Sequence, residues 1–159
     1  MVVTPQVTVA STRAAALKSN SIPMTITSND AIRELLIKAK TIAVVGLSAD
    51  PMRASFGVSQ YMQRKGYRII PVNPNEQMVL GERSYSSLAE VPERIDLVDV
   101  FRRPEFVPEV VEEVIRLKIP AVWLQEGVVH PAAAKKAREA GVLVVMDKCI
   151  FKEHRALGL

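Results

Sequence analysis

The chain has 159 residues, enough for one domain with a real core, and its 48% hydrophobic and 24% charged residues are those of an ordinary globular protein. A net charge of +4 leaves room for an anionic ligand, but no block of consecutive Lys or Arg marks a nucleic-acid surface. The single cysteine, Cys149, excludes an internal disulfide framework and a cysteine-based zinc site, and no apolar run reaches the ~18 residues of a membrane span.

Residues 1–26 carry Arg13 and Lys18 but no acid, are rich in Ser and Thr, and are interrupted by Pro5 and Pro23. They read as a flexible N-terminal extension; a targeting segment over 1–23, or an upstream start with Met24 as the natural beginning, are the other readings. Without such targeting the expected location is the cytoplasm.

From residue 27 onward helical and strand patterns alternate. Thr27 and Asp30 resemble a capping box, and Ile32, Leu35, Leu36 and Ala39 form one apolar helix face. Thr41–Val45 is a buried strand that breaks at Gly46, and a second helix runs to Lys65 before Gly66. Residues 67–72 form the second strand, with Pro71 marking an irregular or edge pairing. Residues 73–86 read as loop, 88–91 as a short helix and 96–101 as the third strand. Pro104 opens a helix striped by Val107, Val110, Val111 and Val114; strands at 120–124 and 142–146 flank a helix that Pro131 starts and Gly141 stops. A short terminal helix fits within 150–159.

Five short apolar strands alternating with helices predict a doubly wound (Rossmann-like) α/β fold: one domain over 27–159, with a parallel five-stranded sheet of order 3-2-1-4-5. In such sheets ligands bind at the carboxyl ends of the strands. Those ends carry Gly46, Leu47 and Ser48; Asn73, Pro74 and Asn75; Arg102, Arg103 and Pro104; Gln125, Glu126 and Gly127; and Asp147, Lys148 and Cys149. The glycine loop leads into a helix N-terminus, where free backbone N–H groups are expected to face a phosphate. Arg53 and Ser55 add donors there, and Arg102 and Arg103 form a second cationic cluster suited to phosphate oxygens.

The loop lacks the G-x-G-x-x-G of a dinucleotide site, since Gly57 is the next glycine after Gly46, and strand two ends in Asn73 where a ribose-binding acid would stand. The G-x-x-x-x-G-K-[ST] pattern of nucleoside triphosphatases is absent as well.

The ordered string Gly46-x-Ser-x-x-Pro-x-Arg-x-Ser55, Gly66-Tyr67, Pro71-Val-Asn-Pro74, Asp96-Leu-Val-Asp-Val-Phe-Arg-Arg-Pro104, Trp123-Leu-Gln-Glu-Gly127, Asp147-Lys-Cys149 and Glu153-His-Arg155 resembles the small stand-alone CoA-binding proteins. That family is itself similar to the CoA-binding domain of the succinyl-CoA synthetase alpha subunit. The resemblance covers residues 28–158 and implies coenzyme A as ligand. It implies that Gly46, Leu47, Ser48, Arg53 and Ser55 hold the diphosphate, and that Pro71, Val72, Asn73 and Pro74 wall the adenine and ribose. Phe101, Arg102, Arg103 and Pro104 would line the pantetheine, with Gln125, Glu126 and Gly127 at the far lip. The motif leaves the arginine for the 3′-phosphate unassigned.

No Ser-His-Asp, H-E-x-x-H or paired-carboxylate spacing is present, so neither a catalytic constellation nor a metal is expected. The lone His130 reads as a helix cap and His154 as part of a terminal salt-bridge network. Cys149 beside Lys148 is either a small buried residue or a thiol that pairs with the CoA thiol. The expected role is a CoA or acyl-CoA carrier, sensor or partner module. The alternatives are an NAD(P)-dependent oxidoreductase on the same fold and a protein-interaction module with a vestigial pocket. A homodimer or another protein partner is open; nucleic acid and membrane are not expected.

Overall fold

A computed structural model describes residues 25–159; of the expected extension over 1–26, residues 1–24, with the targeting reading and Met24, lie outside the described residues. The Ile26 N–H donates to the Val144 carbonyl at 2.7 Å and ties the end of that stretch to the domain. Helix α1 (Asn29–Lys38) is capped by Ser28, whose hydroxyl accepts from the Ala31 N–H at 3.2 Å, so the cap lies one residue past the expected Thr27. Strand β1 (Thr41–Val45) leads through the glycine loop into α2 (Ala54–Arg64), and β2 (Arg68–Val72) follows. Two short strands, β3 (Met78–Val79) and β4 (Glu82–Arg83), precede a 3-10 turn at Leu88–Glu90 and β5 (Leu97–Val100). Helix α3 (Val107–Arg116), β6 (Ala121–Leu124), α4 (Pro131–Glu139), β7 (Leu143–Met146) and α5 (Ile150–Ala156) complete the chain.

The five long strands form one parallel sheet in the order β2-β1-β5-β6-β7. Counted over those five strands the order is 2-1-3-4-5; the expected 3-2-1-4-5 set the third strand outside the second, whereas β5 pairs directly with β1. Pro71 supplies the reason. It has no N–H to donate and belongs on an edge strand, where β2 stands. The outer side of β2 is met by a single bridge, in which the Tyr85 N–H donates to the Pro71 carbonyl at 3.0 Å.

Helices lie on both faces. Ile32, Leu35 and Leu36 of α1, Met62 of α2 and Ile150 of α5 pack with Ile42, Val44 and Trp123 on one side. Val107, Val110, Val111 and Val114 of α3 and the alanines of α4 pack with Val98, Val100 and Val122 on the other. His130 caps α4 as expected, its Nδ1 accepting from the Ala133 N–H at 3.1 Å.

The stretch 73–86, expected to be loop, holds the antiparallel β3–β4 hairpin. Its turn places Leu80 at φ 54 and Gly81 at φ 77, the left-handed pair that a two-residue hairpin demands. Two-residue strands carry no readable alternation, and tertiary contacts hold this one: Gln63 Nε2 donates to the Leu80 carbonyl at 3.0 Å, and Arg68 bridges Glu82 and Glu93.

Candidate functional site

The crossover from β1 runs through α2 on one face, and that from β5 runs through α3 on the other. The loops leaving these neighbouring strands therefore part, and the crevice between them is where an open sheet of this kind receives a ligand. Gly46 makes the closest approach. Its φ is +87, and a Cβ there would run into the Phe101 carbonyl oxygen, so no other residue fits without moving a strand end.

The glycine loop differs from its expected form. Its amides are largely taken by its own side chains: the Ser48 N–H donates to Ser55 Oγ at 3.1 Å, Asp50 N–H to Ser48 Oγ at 3.0 Å and Met52 N–H to Asp50 Oδ1 at 2.9 Å. The Ala49 N–H donates to Glu76 Oε2 at 2.6 Å, tying the loop to the segment after β2. A loop of Ser and Asp folds back on itself in this way, where glycines would leave the amides bare. What remains for an anion is the start of α2. Arg53 sits at its N-cap position with no side-chain cap bond, and among the described residues no acceptor meets the Ala54 and Ser55 N–H groups.

A cleft of about 610 Å3 opens over this helix start. Seven of the sixteen expected site residues line it: Gly46, Ser48, Arg53 and Ser55 from the first loop, Phe101 after β5, and Gln125 and Glu126 after β6. Its far wall is the first turn of α5, with Cys149, Phe151 and Lys152, and Val58 and Val128 add apolar surface. Lys152 Nζ pairs with Glu126 Oε1 at 2.9 Å, and that hydrogen bond holds the ammonium pKa above its usual value. Among the described residues Arg53 has no carboxylate partner.

A second cleft, of about 350 Å3, lies on the α3 side and takes in Val72, Pro74 and Arg102. Ser86, Ser87, Arg116 and the carboxylates Glu109, Glu112 and Glu113 complete its rim. The Arg102 guanidinium stacks on the Phe106 ring, 4.2 Å from its centre.

Six expected residues line neither cleft. The Leu47 side chain is fully buried, and its carbonyl accepts from Asn73 Nδ2 at 3.0 Å, so this pair joins the two loops. Pro71 is buried within β2. Arg103 and Pro104 begin a 3-10 turn at Pro104–Phe106, Arg103 being exposed. Gly127, at φ +80, donates its N–H to Asp147 Oδ1 at 2.8 Å.

Two features escaped the sequence reading. His154 is buried, not part of a terminal ion network: its Nδ1 is hydrogen-bonded to the Tyr61 hydroxyl at 2.9 Å, and burial holds its pKa down. Asp99 is the more consequential. It lies 1% exposed in the central strand, and burial pushes its carboxyl up to about 7. Gln125 Nε2 donates to Asp99 Oδ1 at 2.6 Å, and Gln125 Oε1 accepts from the Ile150 N–H at 3.4 Å. An acid inside the otherwise apolar Leu97–Val100 was the available signal.

Residues 40–155 match the model of the CoA binding domain family. The chain is 47% identical to YneT of Bacillus subtilis (strain 168) over 123 residues, which are 77% of this chain and 91% of that protein. It is 33% identical over 86 residues to the acetate–CoA ligase [ADP-forming] I subunit alpha of Pyrococcus furiosus, spanning 50% of this chain but 19% of the ligase subunit. A solved structure of a Pyrococcus horikoshii OT3 protein superposes with a TM-score of 0.82 at 37% identity, covering 86% of this chain and 98% of that one. With the family model spanning most of the chain and its fold shared along nearly the whole of a related structure, this protein belongs to the CoA binding domain family.

Proposed function

We infer that this protein binds coenzyme A or an acyl-CoA in the larger cleft and acts as a carrier, sensor or partner module without chemistry of its own. The observation that carries the reading is the convergence, on one cleft, of an unpaired arginine, two unaccepted helix amides and apolar walls. The cation and amides suit a diphosphate, which needs directed donors and a positive helix end. Val58, Phe101, Val128 and Phe151 suit a long, weakly polar arm. The family and the ligase relative support CoA as the anion so held.

The non-catalytic part rests on the cleft's titratable groups. Glu126 is committed to Lys152, and Asp99 is buried against Gln125, so no free acid–base pair faces the cleft among the described residues. Cys149 lines the wall as a free thiol.

A thermal-shift series with CoA, acetyl-CoA, dephospho-CoA, NAD and NADP tests the reading. At 100 times Kd, linkage gives about 2.7 kcal/mol of stabilisation, or roughly 5–10 °C. Shifts with CoA and acetyl-CoA but not with the nicotinamide nucleotides support it. A shift with NAD or NADP alone makes the oxidoreductase reading primary, and no shift with any of them points to a protein partner.

A further inference from the structure

An ionisable carboxyl in the middle strand of a parallel sheet needs a reason. Asp99 stands in register between Val44 of β1 and Trp123 of β6, both fully buried, in a layer that an apolar residue would fill at lower cost. Among the described residues it forms no ion pair, and its hydrogen-bond partner is the Gln125 carboxamide. Gln125 is itself 4% exposed, yet it contributes to the wall of the larger cleft. The far end of that carboxamide holds the first N–H of α5, whose opening turn is the opposite wall. Asp99 thus determines which way the amide faces. With an acceptor at Asp99 Oδ1, Nε2 must turn inward and Oε1 must turn to Ile150.

We propose that Asp99 is the positioning residue of the larger cleft: it holds the Gln125 carboxamide so that the second Nε2 hydrogen is offered to a carbonyl oxygen of a ligand's amide- or thioester-bearing arm. Gln125 then selects for ligands that carry such an arm over those with the phosphates alone. This rests on the CoA reading above and names the group within the cleft that reads the arm. The ionisable groups lining the cleft are Arg53, Glu126, Cys149 and Lys152, with Glu126 and Lys152 paired to each other. Burial keeps the Asp99 proton to near neutrality, so the carboxyl holds the amide without a buried charge up to about pH 7. Ionisation above that makes Oδ1 a charged and stronger acceptor, which tightens its hold on Nε2.

The experiment compares, by calorimetry, the affinity for CoA with that for adenosine 3′-phosphate 5′-diphosphate, which has every phosphate but no arm. In Asp99→Leu and in Gln125→Leu the preference for CoA over the fragment falls by about 10-fold, fragment affinity itself holding, as expected for one hydrogen bond. In the wild type the same preference rises between about pH 6 and pH 8.5 as the carboxyl ionises, and Asp99→Asn, which keeps an acceptor but cannot ionise, abolishes that rise. A readout without ligand accompanies these. The Gln125 side-chain amide resonances titrate near neutrality in the wild type and cease to do so in Asp99→Asn. An unchanged preference in both leucine variants, an equal loss for fragment and CoA, or a Gln125 amide that does not titrate overturns the proposal. A folded wild type that binds neither ligand overturns the CoA reading instead, and the amide titration then decides the role of Asp99 by itself.

Discussion

The two clefts beside β1 differ in charge more than in shape. On the α2 side Arg53 has no counter-ion, and the cleft's one carboxylate at the rim, Glu126, is neutralised by Lys152 at 2.9 Å. On the α3 side Arg102 and Arg116 share a cleft with Glu109, Glu112 and Glu113. Arg116 pairs with Glu113 at 3.6 Å, whereas Arg102 stacks on Phe106 and, like Arg53, forms no ion pair among the described residues. Both clefts sit at the same sheet edge and both contain arginine. The difference shows that an arginine near a pocket says little about an anion until its partners are counted. With three carboxylates on the α3 side against one paired carboxylate on the α2 side, the proposed diphosphate is expected on the α2 side.

Breaking the geometry that separates the clefts gives the largest effect. Gly46→Ala forces a side chain into the Phe101 carbonyl at a φ of +87. The expected cost is about 3 kcal/mol, or ~10 °C in Tm, with loss of CoA binding at temperatures where the variant remains folded. Denaturant unfolding and calorimetry read both.

Removing the unpaired cation comes next. Arg53→Ala is expected to weaken CoA about 30-fold, near 2 kcal/mol for a charge-assisted contact. Arg116→Ala, on the other side, leaves it within about 2-fold, since an exposed pair of that kind is worth little. Equal losses in the two variants, by calorimetry, would erase the contrast between the clefts.

Two buried ionisable groups are expected to titrate in opposite senses. Asp99, under the α2 side, has a raised carboxyl pKa, so its folded form favours the proton. The stability it contributes is full below the unfolded value of ~3.9 and is lost as pH rises through about 7, at up to ~1.4 kcal/mol per pH unit in between. The buried His154 works in the opposite sense: its lowered pKa favours the neutral ring, and stability falls as pH drops below ~6.5. Subtracting the urea-unfolding curve of Asp99→Asn from that of the wild type isolates the first trend. A flat difference between pH 4 and pH 7 contradicts it.

The smallest expected change is at the loop. Glu76 accepts from the Ala49 N–H, placing a carboxylate beside the proposed diphosphate. Glu76→Gln keeps the acceptor and removes the repulsion, so CoA tightens by about 2-fold at low salt and less at high salt.

Much of the architecture was legible because burial imposes period and type. The all-apolar runs at Thr41–Val45 and Ala121–Leu124, and the valine stripe of α3, could hardly be anything but buried strands and a sheet-facing helix. Strand order was less so, although Pro71 carried the information that β2 is an edge. The β3–β4 hairpin was invisible because its two-residue strands are held from outside, by Gln63 and Arg68. At the candidate cleft, strand-end logic anticipated that Gly46 and Gln125 lie together, since topology alone brings those ends together. It could not tell that Ser48 and Ser55 spend their hydroxyls on the loop's own amides, or that Leu47 points into the core. Those outcomes depend on side-chain direction at single residues. Asp99 was passed over because it lies within a strand, not at its end.

The most direct test of the central claim is a titration of isotopically labelled protein with CoA, following every backbone amide. The account predicts saturable shifts at Gly46 to Val58, Phe101, Gln125 to Val128 and Cys149 to Lys152, with the Ala54 and Ser55 amides moving furthest. Shifts centred instead on Ser86, Ser87 and the Glu109–Arg116 face of α3, or none at millimolar CoA, would contradict it.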